Sequence, residues 1–175
     1  MSTPSATPAT PNARMTLTMI CATMAGAIPL VTLVLWFVLA ADDGIGEFPA
    51  GWPPLVVLAA AAGAYTVCEF AGFRTPPLEY SNRPAAEVAT ESWRRFTAST
   101  FTRFAVCEAV FLLSVTLSFV AGSYWITLIG AALALPLFFW EAWPSDRNIR
   151  RFAAALEAKG TPSYLTGPYQ DSVRP

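Results

Sequence analysis

Two long stretches of the chain carry no charged residue, and they limit the folds that it can adopt. The first stretch, Met15 to Ala41, has 27 uncharged residues, and the second, Ala109 to Trp140, has 32. A helix needs about 20 apolar residues to cross the hydrocarbon core of a bilayer. The first run therefore predicts one membrane span. The second run, with the residues just before it, has the length for two spans joined by a turn at "AGSY".

The composition supports a membrane protein, because 54% of the residues are hydrophobic and only 13% are charged. A soluble domain typically carries about 25% charged residues on its surface. We therefore predict an all-α integral membrane protein in which four transmembrane helices form two hairpins. The four spans are predicted at residues 15–41, 53–73, 101–121 and 124–143.

The segments outside the spans are more polar. Residues 1–14 are mostly Ser, Thr, Pro and Ala, which predicts a disordered N-terminal tail. Residues 84–100 and 145–159 have the pattern of short amphipathic helices at the membrane interface. The second of these, within segment 144–160, either lies on the membrane surface or packs beneath the bundle. Residues 161–175 are predicted to form a C-terminal tail.

The first span has a second interpretation as a secretory signal peptide, since "FVLAAD" offers a small-residue cleavage site after Ala40. The apolar region of a signal peptide is about 7–15 residues long and follows a basic segment. This span is longer, and Arg14 is the only basic residue before it. We therefore expect the first helix to be retained.

The distribution of basic residues predicts the orientation of the spans. All eleven Lys and Arg residues fall in the N-terminal tail, between Arg74 and Arg103, or after Pro144, and none falls in the two opposite loops. Loops rich in Lys and Arg stay in the cytoplasm. Both termini are therefore predicted to be cytoplasmic. Ten of the eleven basic residues are Arg, which with the abundant Ala and Pro favours a bacterial protein in the plasma membrane.

Several classes of function are disfavoured by the residue types. The chain has no histidine, which argues against bis-histidine haem, the usual zinc sites and histidine acid–base catalysis. Cys21, Cys68 and Cys107 lie in separate apolar segments and form no C-x-x-C pair. The net charge of −1 gives no indication of nucleic-acid binding. We predict no cofactor, no metal site and no enzymatic activity.

Three glutamates lie in or beside the predicted spans and form the candidate site. Glu69 and Glu141 come near the cytoplasmic ends of the second and fourth spans, whereas Glu108 lies about 10 Å inside the third. Ionisable groups in a membrane segment are candidates for a functional site. The three carboxylates could therefore hold a proton or a cationic ligand.

The other interpretation of these glutamates is structural. Arg74 follows Glu69 by five residues, and Arg103 precedes Glu108 by five, so we predict one ion pair within each couple. Pairing would offset the cost of removing each charge from water. A metal site that combines the glutamates with Cys68 and Cys107 has no supporting ligand spacing.

Small residues four apart indicate where helices could approach one another closely. They occur as Ala22 with Gly26, Ala59 with Gly63, and Gly130 with Ala134. Together these features favour a non-enzymatic accessory or scaffold subunit of a membrane complex, or a homo-oligomer. The partners expected are the lipid bilayer and other membrane subunits or a second copy. The alternative is a small transporter or channel that uses the three glutamates.

Overall fold

The computed structural model describes residues 10–40, 44–80 and 82–167, and within these ranges all regular secondary structure is helical. The first four helices are long and apolar enough to cross a membrane, which confirms the four candidate spans. The fifth is short and amphipathic. The helices are α1 (Thr10–Leu39), α2 (Pro53–Phe70), α3 (Ala85–Ala121), α4 (Tyr124–Glu141) and α5 (Asp146–Leu156).

The ends of the spans differ by a few residues from the predicted ones. Helix α1 begins at Thr10, so residues 10–14 are helical although we predicted a disordered tail; residues 1–9 lie outside the described ranges. Helix α2 ends at Phe70, three residues early, and α4 ends at Glu141, two residues early. Both glutamates of these helices are therefore placed in a final turn.

The prediction of a separate amphipathic helix at residues 84–100 is wrong. These residues continue without interruption into the third span, and α3 is a single helix of 37 residues. No Gly or Pro falls between Ala85 and Ala121, so nothing breaks the helix. At 1.5 Å per residue α3 is about 55 Å long. This length exceeds the roughly 30 Å hydrocarbon core of a bilayer by about 25 Å, so a span by α3 would leave its first turns outside that core.

Helices α3 and α4 form the centre of the bundle. They are joined by Gly122, whose φ of +61° suits the left-handed turn between them. Gly130 of α4 lies so close to Ser114 of α3 that a β-carbon would overlap its side chain. The hydroxyl groups of Ser118 and Thr127, both fully buried, are 2.6 Å apart and join the same two helices.

Helices α1 and α2 flank this central pair. Helix α1 packs on α4 and α3, while α2 packs on α3 and α4. In the described residues α1 and α2 make no extended contact with each other. The second predicted hairpin is therefore a packed pair, but the first is not.

The helix ends are fastened by polar contacts at both ends of the bundle. At one end the Tyr124 hydroxyl donates to the Thr32 carbonyl at 2.8 Å, and the Tyr124 ring meets Trp36 edge-on at 5.4 Å. At the other end Arg14 of α1 pairs with Asp146 of α5 at 2.9 Å. The start of α1 and the start of α5 thus lie at the same end, which we call the arginine-rich end.

Helix α5 packs beneath the bundle, which decides between the two placements predicted for it. Ser145 caps its first turn by accepting from the Asn148 backbone N–H at 3.3 Å. Phe152 is buried and meets Phe96 of α3 edge-on at 5.5 Å between ring centres. The Leu78 backbone N–H donates to the Leu156 carbonyl at 2.8 Å, which ties the α2–α3 connection to the end of α5.

The first part of the predicted C-terminal tail also packs against the fold. Leu165 is buried, and Ser163 binds the Glu157 carboxylate through both its backbone N–H and its hydroxyl group. Residues 168–175 lie outside the described ranges.

Candidate functional site

Charged side chains from four helices meet at the arginine-rich end, where α2 and α4 finish and α5 crosses beneath them. We call this group the polar cluster. Three of its members, Glu69, Arg103 and Glu141, were predicted as residues of the ligand site or charge cluster, with Arg103 as the partner of Glu108. The polar cluster consists of Glu69, Arg103, Glu141, Arg147 and Arg151.

Glu69 joins the end of α2 to α5. Its carboxylate pairs with Arg147 at 3.0 Å and with Arg151 at 2.7 Å. Arg151 also donates to the Glu69 backbone carbonyl at 3.0 Å. The Glu69 side chain is 19% exposed, so these charge-assisted bonds are only partly screened by water.

The predicted pair of Glu69 with Arg74 is wrong. Residues five apart on an α-helix differ by about 140° in direction, whereas neighbours on one face are three or four apart. Helix α2 also ends at Phe70, before Arg74. Arg74 is exposed and lines a groove between the end of α2 and α3.

Arg103 is buried within the bundle and binds backbone oxygens instead of a carboxylate. Its guanidinium donates to the carbonyl of Glu141, the last residue of α4, and to the Ser99 carbonyl. It also donates to the Thr100 hydroxyl at 3.2 Å, and its central carbon lies 4.1 Å from the centre of the Phe73 ring. A cation at the C-terminus of a helix satisfies its free carbonyl groups and its dipole.

The predicted pair of Arg103 with Glu108 is also wrong. Arg103 points toward α4, and Glu108 is half-buried on a different face of α3. In the described ranges no Lys or Arg side chain forms an ion pair with Glu108. Arg103 and Glu108 are five residues apart, and residues with this spacing point to different faces of a helix.

Glu141 has the most constrained carboxyl group of the cluster. The residue is 0% exposed, and neither carboxylate oxygen has a hydrogen-bond donor among the described residues. The carboxyl group of Glu69 is its neighbour. Two adjacent carboxylates repel each other, and a bound proton or cation would relieve this repulsion.

Asn148 completes the end of α4 and was not predicted from the sequence. It is fully buried, and its side-chain amide donates to the carbonyls of Trp140, Glu141 and Trp143. Arg147 and Arg151 were also missed as partners of Glu69. Their spacing of four residues places both on one face of α5, which was the available signal.

The three cysteines are buried in the core near this cluster and carry free thiols. The Cys68 thiol lies 3.9 Å from the Arg103 carbonyl, and the Cys107 thiol is its neighbour across the α2–α3 contact. Within the described part of the chain no group of three His, Cys, Asp or Glu residues has the geometry to hold a metal ion.

We predict that Arg103 stabilises the fold and that Glu108 does not. Arg103→Met keeps the apolar stem but removes the donors to α4, so the free energy of unfolding should fall by about 1.5–3 kcal/mol. Glu108→Gln removes no ion pair and should change this free energy by less than about 0.5 kcal/mol. Denaturant unfolding in detergent measures both values. A large loss in Glu108→Gln would show that Glu108 has a counter-charge after all.

Comparison with known proteins gives no family for this chain. No family model, no curated protein and no solved structure matches it. Its function must therefore be inferred from the residues and contacts described above.

Proposed function

We propose that this chain is a non-enzymatic multi-pass membrane protein that acts by association, as an accessory or scaffold subunit of a membrane complex or as a homo-oligomer. The observation that carries the proposal is the outward position of two small-residue pairs. The four apolar helices are joined by short connections. The faces of the helices are therefore the main surface on which a partner could bind.

The three small-residue pairs of the sequence have different positions in the fold. Gly130 is packed against Ser114, so this pair serves contact within the chain. Gly26 on α1 and Gly63 on α2 face outward, and a β-carbon at either would meet nothing within 4 Å. Their partners Ala22 and Ala59 are exposed too. In a bilayer, such small-residue faces allow helices to approach each other closely.

The polar cluster supports a structural role for most of the buried charge. Glu69 is held by two arginines, and Arg103 is held by backbone oxygens. These side chains fasten α2, α3 and α4 to one another and to α5, which would hold the outward faces in a fixed arrangement. This supports a scaffold more than a catalyst.

We further propose that the protein resides in the plasma membrane of a bacterium with the arginine-rich end in the cytoplasm. The pattern that supports this orientation is that the segments on this side of the four predicted spans contain all the Lys and Arg residues, whereas the two loops on the other side contain none. The loop between α1 and α2 and the turn at Gly122 would then face the opposite side. Reaction of engineered cysteines with an impermeant reagent tests this orientation.

We predict that bulky residues on the outward faces abolish association. Gly26→Leu and Gly63→Leu should leave the helical content unchanged, since both positions are open, but should prevent close helix contact. Native mass spectrometry of a gentle detergent extract would measure the loss of the oligomer or of the co-purifying subunit. Ala109→Leu adds bulk at an exposed position of α3 and should have no effect.

Two results would contradict this proposal. The first is a wild-type protein that leaves the membrane as a monomer with no partner. The second is an assembly that survives both Leu substitutions. A wild-type complex whose mass is a multiple of the mass of this chain would identify a homo-oligomer, whereas a second polypeptide in the complex would identify an accessory subunit.

A second candidate function is a small transporter or channel for a proton or cationic ligand. The specific observation in its favour is the buried Glu141 carboxyl group, which has no donor in the described ranges and adjoins Glu69. Glu108 was predicted to share this role, but in the described residues it forms no ion pair with the arginines that hold Glu69.

For this second candidate we expect Glu141→Gln to fold normally, because a neutral amide is cheaper to bury than a charge. Proton-coupled or cation-coupled flux in proteoliposomes would then be lost in Glu141→Gln. Glu91→Gln is the matched control, since Glu91 pairs only with Arg94 and Arg95 of its own helix. Flux that is absent in the wild type, or unchanged in Glu141→Gln, would exclude transport through this carboxyl group.

A further inference from the structure

A groove of about 690 Å³ lies between the end of α2 and the middle of α3. It is separate from the polar cluster except for Arg103, which contributes to one wall. One part of the groove is apolar and the other is lined by arginines. The side chains that matter for its chemistry are those of Val67, Arg74, Glu91, Arg94, Arg95 and Val106.

The groove carries an excess of positive charge. Four arginines and one glutamate line it, so three positive charges are in excess. Arg94 and Arg95 share the single carboxylate of Glu91. Arg74 has no ion-pair partner in the described part of the chain, and Arg103 contacts oxygens that carry no full charge. An anion is the ligand that complements such a surface.

Arg94 and Arg95 are separated from the apolar residue Val106 along the axis of α3, whereas Arg103 lies one turn from Val106. The lining residues of α3 run from Glu91 to Val106, a distance of about 22 Å at 1.5 Å per residue. Val67 and Val106 lie toward the membrane span of α3, whereas Arg94 and Arg95 lie on the part that exceeds the hydrocarbon core. The groove therefore passes from acyl-chain depth to headgroup depth.

We propose that this groove binds an anionic phospholipid, with the phosphate at Arg74, Arg94 and Arg95 and an acyl chain along Val67 and Val106. Arginine matches phosphate oxygens geometrically and forms short charge-assisted bonds with them. A free phosphate would use the arginines but leave the apolar half without a ligand. The inference rests on the proposed membrane location, but it is independent of the association through Gly26 and Gly63.

Lipid titration of the full chain in neutral detergent, followed by native mass spectrometry, tests this site. The probes are phosphatidylglycerol and phosphatidylcholine with identical acyl chains. We expect the wild type to bind phosphatidylglycerol preferentially. Arg74→Gln should weaken that binding about fivefold, and Arg74→Gln with Arg94→Gln about 25-fold, since each arginine contributes near an anionic lipid surface.

Arg150→Gln is the matched control, because Arg150 is exposed on α5 and lies outside the groove. It removes the same charge and should leave the lipid preference unchanged. Arg74→Lys keeps the charge and should bind phosphatidylglycerol more tightly than Arg74→Gln does, although less tightly than the wild type. This difference would show that the loss in Arg74→Gln comes from the charge and not from misfolding. Circular dichroism should show equal helical content in all variants.

The proposal is overturned if the wild type binds the two lipids equally, or if Arg150→Gln weakens binding as much as Arg74→Gln does. It is also overturned if soluble glycerophosphate displaces the lipid at equal concentration, since the site would then bind a free phosphate ester. An unchanged lipid preference in the double variant would place the lipid elsewhere on the bundle. Each of these results is independent of whether the chain forms an oligomer.

Discussion

The ion pairs of Glu69 with Arg147 and Arg151 connect the membrane bundle to the helix that closes it. Charges in an apolar bundle are costly unless they are paired or hydrogen-bonded. Here the pairing partners come from α5, so the end of α2 holds α5 in place together with the contacts of Asp146 and Phe152. Arg103 and Asn148 then satisfy the carbonyl groups at the end of α4. Ion pairs between side chains, and hydrogen bonds from side chains to the last carbonyl groups of α4, therefore stabilise the arginine-rich end.

The opposite end and the helix interfaces have different physical causes. Close packing of Gly130 on Ser114 and the Ser118–Thr127 contact set the spacing of α3 and α4. In the part of the chain that the structure describes, no comparable contact joins α1 to α2, and Gly26 and Gly63 have open space around them. The fold thus has its ion pairs at one end and a close small-residue contact between α3 and α4. The small-residue faces of α1 and α2 are exposed, and we propose that they contact another molecule.

The four spans could be predicted from the sequence because a run of about 20 predominantly apolar residues is the main requirement for a helix that crosses a bilayer. The continuity of α3 could also have been predicted from the sequence, since no Gly or Pro interrupts residues 85–121. The partners of the glutamates could not be found from neighbouring residues. Glu69 is 78 residues from Arg147, and only the packing of α5 brings them together. Predictions based on the nearest arginine failed because five residues turn a helix to a different face.

Helix packing does not explain why position 141 carries a buried carboxyl group. The Glu69 carboxylate pairs with two arginines. Glu141 instead accepts from Arg103 and Asn148 only through its backbone carbonyl. A scaffold could have used an apolar residue at this position at lower cost. This contrast is the physical reason for keeping a proton or cation site as the second candidate function.

The central claim is that the chain crosses a bilayer four times with its arginine-rich end in the cytoplasm. Single cysteines at Ala50 and Ala158, both exposed, in a protein whose three native cysteines are replaced by alanine, test it most directly. In intact cells Ala50→Cys should react with an impermeant maleimide, and Ala158→Cys should react only after lysis. Labelling of Ala158→Cys in intact cells, or protection of Ala50→Cys, would contradict the account.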